Sequence, residues 1–237
     1  MQLLHGLVHI RRLGIPNAEE ERPALLEKRA VKLQRLCVAL LHHLEVKPIL
    51  EGTLPSGGLL ITNHVSFLDI MFLGALRPMV FVAKSEVADW PLVGNIATCA
   101  GTLYVERSRR TDVSRVNRNL KRALEAGILV TLFPEGTSSD GSVVLPFQAS
   151  LLQPAVDLGV PVTPGHLQYT GLDGLRADDI AYFGDRDLLP CLLALIRRKS
   201  TTATLQCGAA IQDATSRKSL TQKLHAEVVR LSGQPQP

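Results

Sequence analysis

Three short clusters in this 237-residue chain carry side chains suited to proton transfer and to binding an anion. The first is Asn63-His-Val-Ser-Phe-Leu-Asp69. The separation of His64 from Asp69 is a little more than one helical turn, so the carboxylate can reach back to the imidazole. It would hold one ring N–H and leave the other nitrogen free as a base. A surface histidine beside a helix carboxylate accounts equally well for such a pair, so support must come from elsewhere.

The second cluster is Phe133-Pro-Glu-Gly-Thr137. It follows an apolar run, Ile128-Leu-Val-Thr-Leu-Phe133, so Glu135 is expected at a strand end. Gly136 allows a sharp turn and a close approach of ligand to backbone, and the N–H groups after it suit an anion or an oxyanion. The bland alternative is an ordinary Pro-Gly turn. The third cluster is Gly101-Thr-Leu-Tyr-Val-Glu-Arg107, with Arg109 and Arg110 just beyond. An arginine at a strand edge suits a bidentate phosphate or carboxylate contact, while a solvated basic loop accounts for at least some of the three.

The elements that must position these groups are read from periodicity. From Glu27 to Leu44, Leu33, Leu36, Cys37, Leu40, Leu41 and Leu44 recur at helical spacing, with Lys28, Arg29, Lys32 and Arg35 mostly off that stripe. Such a helix packs on its own domain, lies on an anionic membrane, or does both. Strands are expected over Leu59–Thr62, Val80–Ala83, Thr102–Val105, Ile128–Phe133, around Val160–Val162 and over Thr202–Cys207. Helices are expected over Phe67–Leu76, from Thr111 or Asp112 to Ala126, over Ser150–Leu158 and over Thr215–Leu231; Gly94–Gly101 reads as irregular. Alternation of strands and helices implies an α/β fold with a mixed, largely parallel central sheet flanked by helices. The expected division is an N-terminal amphipathic, membrane-associating helical segment over 1–47 and a catalytic domain over 48–237.

Composition narrows the partners. The net charge of +4 favours something anionic, but aromatics at 4% argue against a base-stacking nucleic-acid surface. Cys37, Cys99, Cys191 and Cys207 form no C-x-x-C pair and read as small core residues of a reducing compartment rather than zinc ligands. The first 14 residues are too rich in His and Arg for a secretory signal, and no stretch approaches the roughly 20 apolar residues that span a bilayer. The apolar run Leu188–Ile196 stops at Arg197. A peripheral protein of the cytoplasmic side is expected.

Taken in order, these clusters resemble the PlsC-like glycerolipid acyltransferases, whose best-known members are lysophosphatidic acid acyltransferases. Asn63-His64…Asp69 resembles their histidine–aspartate block, Gly101–Arg107 their glycine-to-arginine block, Phe133–Thr137 their FPEGT block, and Val160-Pro-Val-Thr-Pro164 their proline-rich strand. Lys84-Ser-Glu86…Trp90-Pro91…Gly94 fits between the first two. The resemblance implies an acyltransferase with His64 as general base and Asp69 orienting it. It implies a substrate site drawing on Asn63, Lys84, Gly101, Arg107, Glu135, Gly136, Thr137 and Ser138. The implied partners are a lysolipid acceptor, an acyl thioester donor on coenzyme A or acyl carrier protein, and an anionic membrane surface. No metal, prosthetic group or nucleic acid is implied.

The departures from that family pattern matter too. Many lysophosphatidate enzymes carry arginine after FPEGT and a lysine further on; this chain has Ser138 and Gln148. The run from Glu135 to Gly141 and through Leu145-Pro-Phe147 is similar to the subgroup that acylates lyso-ornithine lipids. Three rivals are to be weighed. Ser66 as a nucleophile lacks the G-x-S-x-G elbow. A non-catalytic lipid-binding module with the same fold would tolerate loss of His64 and Asp69. Nucleic-acid binding has only net charge behind it.

Overall fold

A computed structural model describes residues 23–90, 93–106, 109–184, 186–198, 200–212 and 214–233 of the protein. The first 22 positions of the expected N-terminal segment lie outside the described residues. Seven strands form one sheet: β1 (Val46–Glu51), β2 (Gly58–Thr62), β3 (Val80–Lys84), β4 (Leu103–Val105), β5 (Leu129–Leu132), β6 (Val162–Thr170) and β7 (Thr201–Cys207). Their order is β1-β7-β6-β2-β5-β3-β4, and every neighbouring pair is parallel except β6 with β7. The sheet is therefore mixed and largely parallel, as the alternating pattern implies. At its centre, β2 and β5 are apolar nearly throughout and buried at every position. Such runs mark inner strands covered on both faces.

Helices α1 (Pro23–His43), α2 (Leu68–Leu76) and α6 (Leu188–Arg197) share one apolar layer with the sheet, through Leu33, Cys37, Phe72, Leu73 and Leu195. On the other face, α4 (Arg110–Glu125), α5 (Gln153–Leu158) and α7 (Arg217–Ser232) contribute Val116, Leu120, Ala155, Leu220 and Leu224. Side chains of β2 alternate between the layers, Leu60 in the first, Leu59 and Ile61 in the second. The apolar stripe of α1 faces its own domain: Leu33, Leu36, Cys37 and Leu41 are all buried. Strand β1 runs across position 47, and α1, which ends at His43, packs against α2 and β1.

Several elements differ from expectation. Strand β1 was not foreseen, because Val46-Lys-Pro-Ile-Leu-Glu51 has mixed polarity and contains Pro48. It is an edge strand with a single neighbour, where proline is tolerated. The stretch expected to be irregular holds a short helix, α3 (Val93–Cys99). Helix α4 starts at Arg110 without a side-chain cap; Asp112 instead accepts the Glu106 N–H and pairs with Arg115. Strand β6 runs on to Thr170, well past the proline-rich block. Among the described residues, no helix is long and apolar enough to cross a membrane.

Candidate active site

The register of the two central strands brings the first two clusters together. Ile61 lies beside Leu132, so three residues further along each chain His64 and Glu135 emerge side by side. The Glu135 carboxyl accepts the backbone N–H of His64 at 3.0 Å and that of Leu145 at 3.0 Å. The His64 carbonyl in turn accepts the N–H of Ser139 at 2.9 Å. The turn after β5 is thus fastened to the turn after β2 from both sides.

His64 Nδ1 lies 2.6 Å from Asp69 Oδ2. The same oxygen accepts the N–H groups of Val65 (2.8 Å) and Ser66 (3.2 Å), while Oδ1 accepts the hydroxyl of Tyr169 at 2.6 Å. Asp69 is fully buried, and four donors converge on it, an arrangement suited to the acceptor-only, ionised carboxylate. With Nδ1–H given to Asp69, the lone pair of His64 is on Nε2. That nitrogen has no hydrogen-bond partner among the described residues, and the His64 side chain is 24% exposed. The ring stacks on Phe133, centroids 4.2 Å apart, which fixes its plane. The pair therefore presents an oriented base to solvent from a dry support.

Asn63 sits 2% exposed, with its amide on β6: Nδ2 donates to the Leu167 carbonyl at 3.1 Å, and Oδ1 accepts the Leu167 N–H at 2.7 Å. It continues the β2–β6 pairing with a side chain where the strand ends. Ser66 is fully buried and donates to the Ile180 carbonyl at 2.7 Å, away from any nucleophilic arrangement with His64. Burial pushes the carboxyl of Glu135 up to about 8; the two N–H bonds hold it down and the nearby charge of Asp69 adds to the rise.

The other expected site residues divide. Gly136 adopts φ 75°, the left-handed region, and its turn leaves Thr137 exposed and Ser138 half-buried. Lys84 is exposed at the C-terminal end of β3, the sheet edge shared with β2 and β5. Gly101 is elsewhere: at φ +82° it lies under α1, where a Cβ would come within 2.9 Å of Leu26 Cδ2. It is a packing position, required by the close approach of that helix. Arg107 lies outside the described residues, and Arg109 is an exposed side chain 3.8 Å from Glu106. Tyr169 went unnoticed in the sequence, because its partner stands 100 residues earlier; the only cue was an aromatic in a strand downstream of Val160–Pro164. A cavity of about 150 Å³ opens beside Val65, Gly141, Tyr169 and Arg176, and His64 does not line it. Among the described residues, no group of three or more His, Cys, Asp or Glu could hold a metal ion.

A family model described as Acyltransferase matches residues 39–167, which include both clusters joined here. The chain belongs to this acyltransferase family. It is 35% identical over 176 residues to the 1-acyl-sn-glycerol-3-phosphate acyltransferase of Neisseria gonorrhoeae, covering 73% of this chain and 69% of that one. It is 37% identical over 175 residues to the lyso-ornithine lipid O-acyltransferase of Pseudomonas aeruginosa, covering 73% and 66%. In fold it is similar to the crystal structure of PlsC, the 1-acyl-sn-glycerophosphate acyltransferase of Thermotoga maritima. That match has a TM-score of 0.60 and 18% identity, and covers 98% of this chain and 94% of the other.

Proposed function

We propose that the protein moves a fatty acyl group from a thioester to the hydroxyl of a lysolipid, with His64 as general base and Asp69 as its orienting partner. The observation that carries this reading is the 2.6 Å contact between His64 and a fully buried Asp69, with Nε2 left open. The acceptor hydroxyl gives its proton to Nε2 as its oxygen bonds to the thioester carbonyl carbon, and the carbonyl electron pair moves onto oxygen. When that pair returns, the carbon–sulfur bond breaks, and the thiolate takes the proton back from the imidazolium. A thiol, with a reference pKa of about 8.5, leaves with little acid assistance. The backbone N–H groups of Thr137 and Ser138 make no hydrogen bond among the described residues and are available to the oxyanion.

The acceptor is a lysolipid of the kinds named for the two relatives, a 1-acylglycerol-3-phosphate or a lyso-ornithine lipid. Ser138 and Gln148, neither of them charged, favour the second, because a phosphate headgroup calls for cationic partners. The donor is an acyl thioester of coenzyme A or of acyl carrier protein, and no prosthetic group enters the scheme. A lipid acceptor places the work at a membrane, which the protein meets as a peripheral partner on the cytoplasmic face. Lys28, Lys32 and Arg35, spaced along one side of α1 and off its buried stripe, supply a basic face for anionic lipid.

The test is thiol release by the purified protein from acyl-CoA and from acyl carrier protein, with lysophosphatidate and lyso-ornithine lipid offered side by side. The proposal expects release that depends on the acceptor and is faster with lyso-ornithine lipid. Lysolipid binding without any thiol release would instead identify a non-catalytic lipid-binding module.

A further inference from the structure

We infer that Tyr169 is a positioning residue of the reaction, acting through Asp69 to set the basicity of His64. The inference rests on the reading of His64 as the base. Strand β6 meets the histidine–aspartate block twice: the Leu167 backbone pairs with the Asn63 amide, and two residues on, the Tyr169 side chain gives its hydroxyl to Asp69 Oδ1 at 2.6 Å. Among the described residues Oδ1 has no other partner, whereas Oδ2 carries His64 and two backbone N–H groups. Tyr169 is 2% exposed and packs in a T-shaped contact with Phe72 (centroids 6.4 Å apart), which holds its ring in place.

The consequence is electrostatic. A phenol proton on Oδ1 draws negative charge from the oxygen that faces the imidazole, which weakens the support that Asp69 gives an imidazolium. The proton stays on the phenol throughout, since burial and the charge of Asp69 both hold Tyr169 well above the ordinary tyrosine range. Of the titratable groups facing this pair, Glu135 meets His64 from the turn after β5 and Tyr169 meets Asp69 from β6. Because Glu135 itself titrates at about 8, the readout must include the His64 ring and not activity alone.

The test compares wild type with Tyr169→Phe, which keeps the ring and removes the O–H, following kcat/KM against pH and the His64 ring protons by NMR, assigned with His64→Ala. Loss of one hydrogen bond to a charged group should raise the His64 midpoint and the acidic limb together by about one pH unit, with KM unchanged and activity recovered on the alkaline side. A difluorotyrosine at position 169, a stronger donor of unaltered shape, should move both the other way. In an Asp69→Asn background Tyr169→Phe should move neither. An unmoved midpoint in both the phenylalanine and the fluorinated protein, or an equal shift in the Asp69→Asn background, overturns the inference. An active His64→Ala protein would instead overturn the functional reading on which it rests.

Discussion

The carboxyl of Glu135 accepts the backbone N–H of His64 across a sequence gap of 71 residues, at 3.0 Å. The same carboxyl accepts Leu145 N–H, so one buried acid holds together the two turns that form the site.

That acid should leave a mark on stability. Glu135 stands at about 8 in the fold against an ordinary value of 4.5, so between those values the folded chain binds more protons than the unfolded one. Its contribution is full below 4.5 and is lost as pH rises through 8. Buried His166 acts oppositely: desolvation lowers it from 6.5 to about 4, so its contribution is present above 6.5 and lost as pH falls through 4. From these two groups stability should be level between 4.5 and 6.5 and decline above. Glu135→Gln should abolish the alkaline decline, and cost about 1–3 kcal/mol overall, because an amide accepts only one of the two N–H groups. Denaturation midpoints from pH 5 to 9 check this, and an unchanged alkaline slope in the variant would count against it.

Gly101 should behave as a packing residue. An alanine there would hold φ at +82° and set a methyl against Leu26, so Gly101→Ala should cost about 1–2 kcal/mol and lower Tm. Thiol release by the fraction that remains folded should keep its KM. A raised acceptor KM with Tm unchanged would instead return Gly101 to the substrate site.

Ser66→Ala removes a buried donor from the Ile180 carbonyl and should lower stability by about 1–3 kcal/mol. Activity of the folded protein should stay within a few-fold of wild type. A dead but well-folded variant, or an acyl group trapped on Ser66, would favour a covalent route.

How far the sequence revealed this site depended on range. The His64–Asp69 contact was legible because it closes within one local turn, and the approach of Glu135 because β2 and β5 are both short apolar runs typical of inner strands. The partners of Asn63 and Gly101 were hidden, one 104 residues away on β6 and the other Leu26 of α1, and neither separation leaves a periodic trace. Helical spacing likewise identified α1 correctly but could not say which surface its leucines would cover. They pack on α2 and β1 of their own domain, and the basic side is left for a membrane.

For that reason membrane contact should depend on charge rather than on the leucine stripe. Reversing Lys28, Lys32 and Arg35 to glutamate should weaken sedimentation with anionic vesicles, more so at low salt, while leaving Tm close to wild type. Unchanged vesicle binding would place the contact elsewhere. Removing everything before Pro48 is the poorer experiment, because it takes Leu33, Cys37 and Leu41 out of the core.

The most direct measurement is thiol release by His64→Ala beside wild type, with both proteins shown to be folded. The Nε2 base predicts a loss of about 100-fold or more in kcat with the acceptor KM little changed. Turnover within a few-fold of wild type would contradict the account.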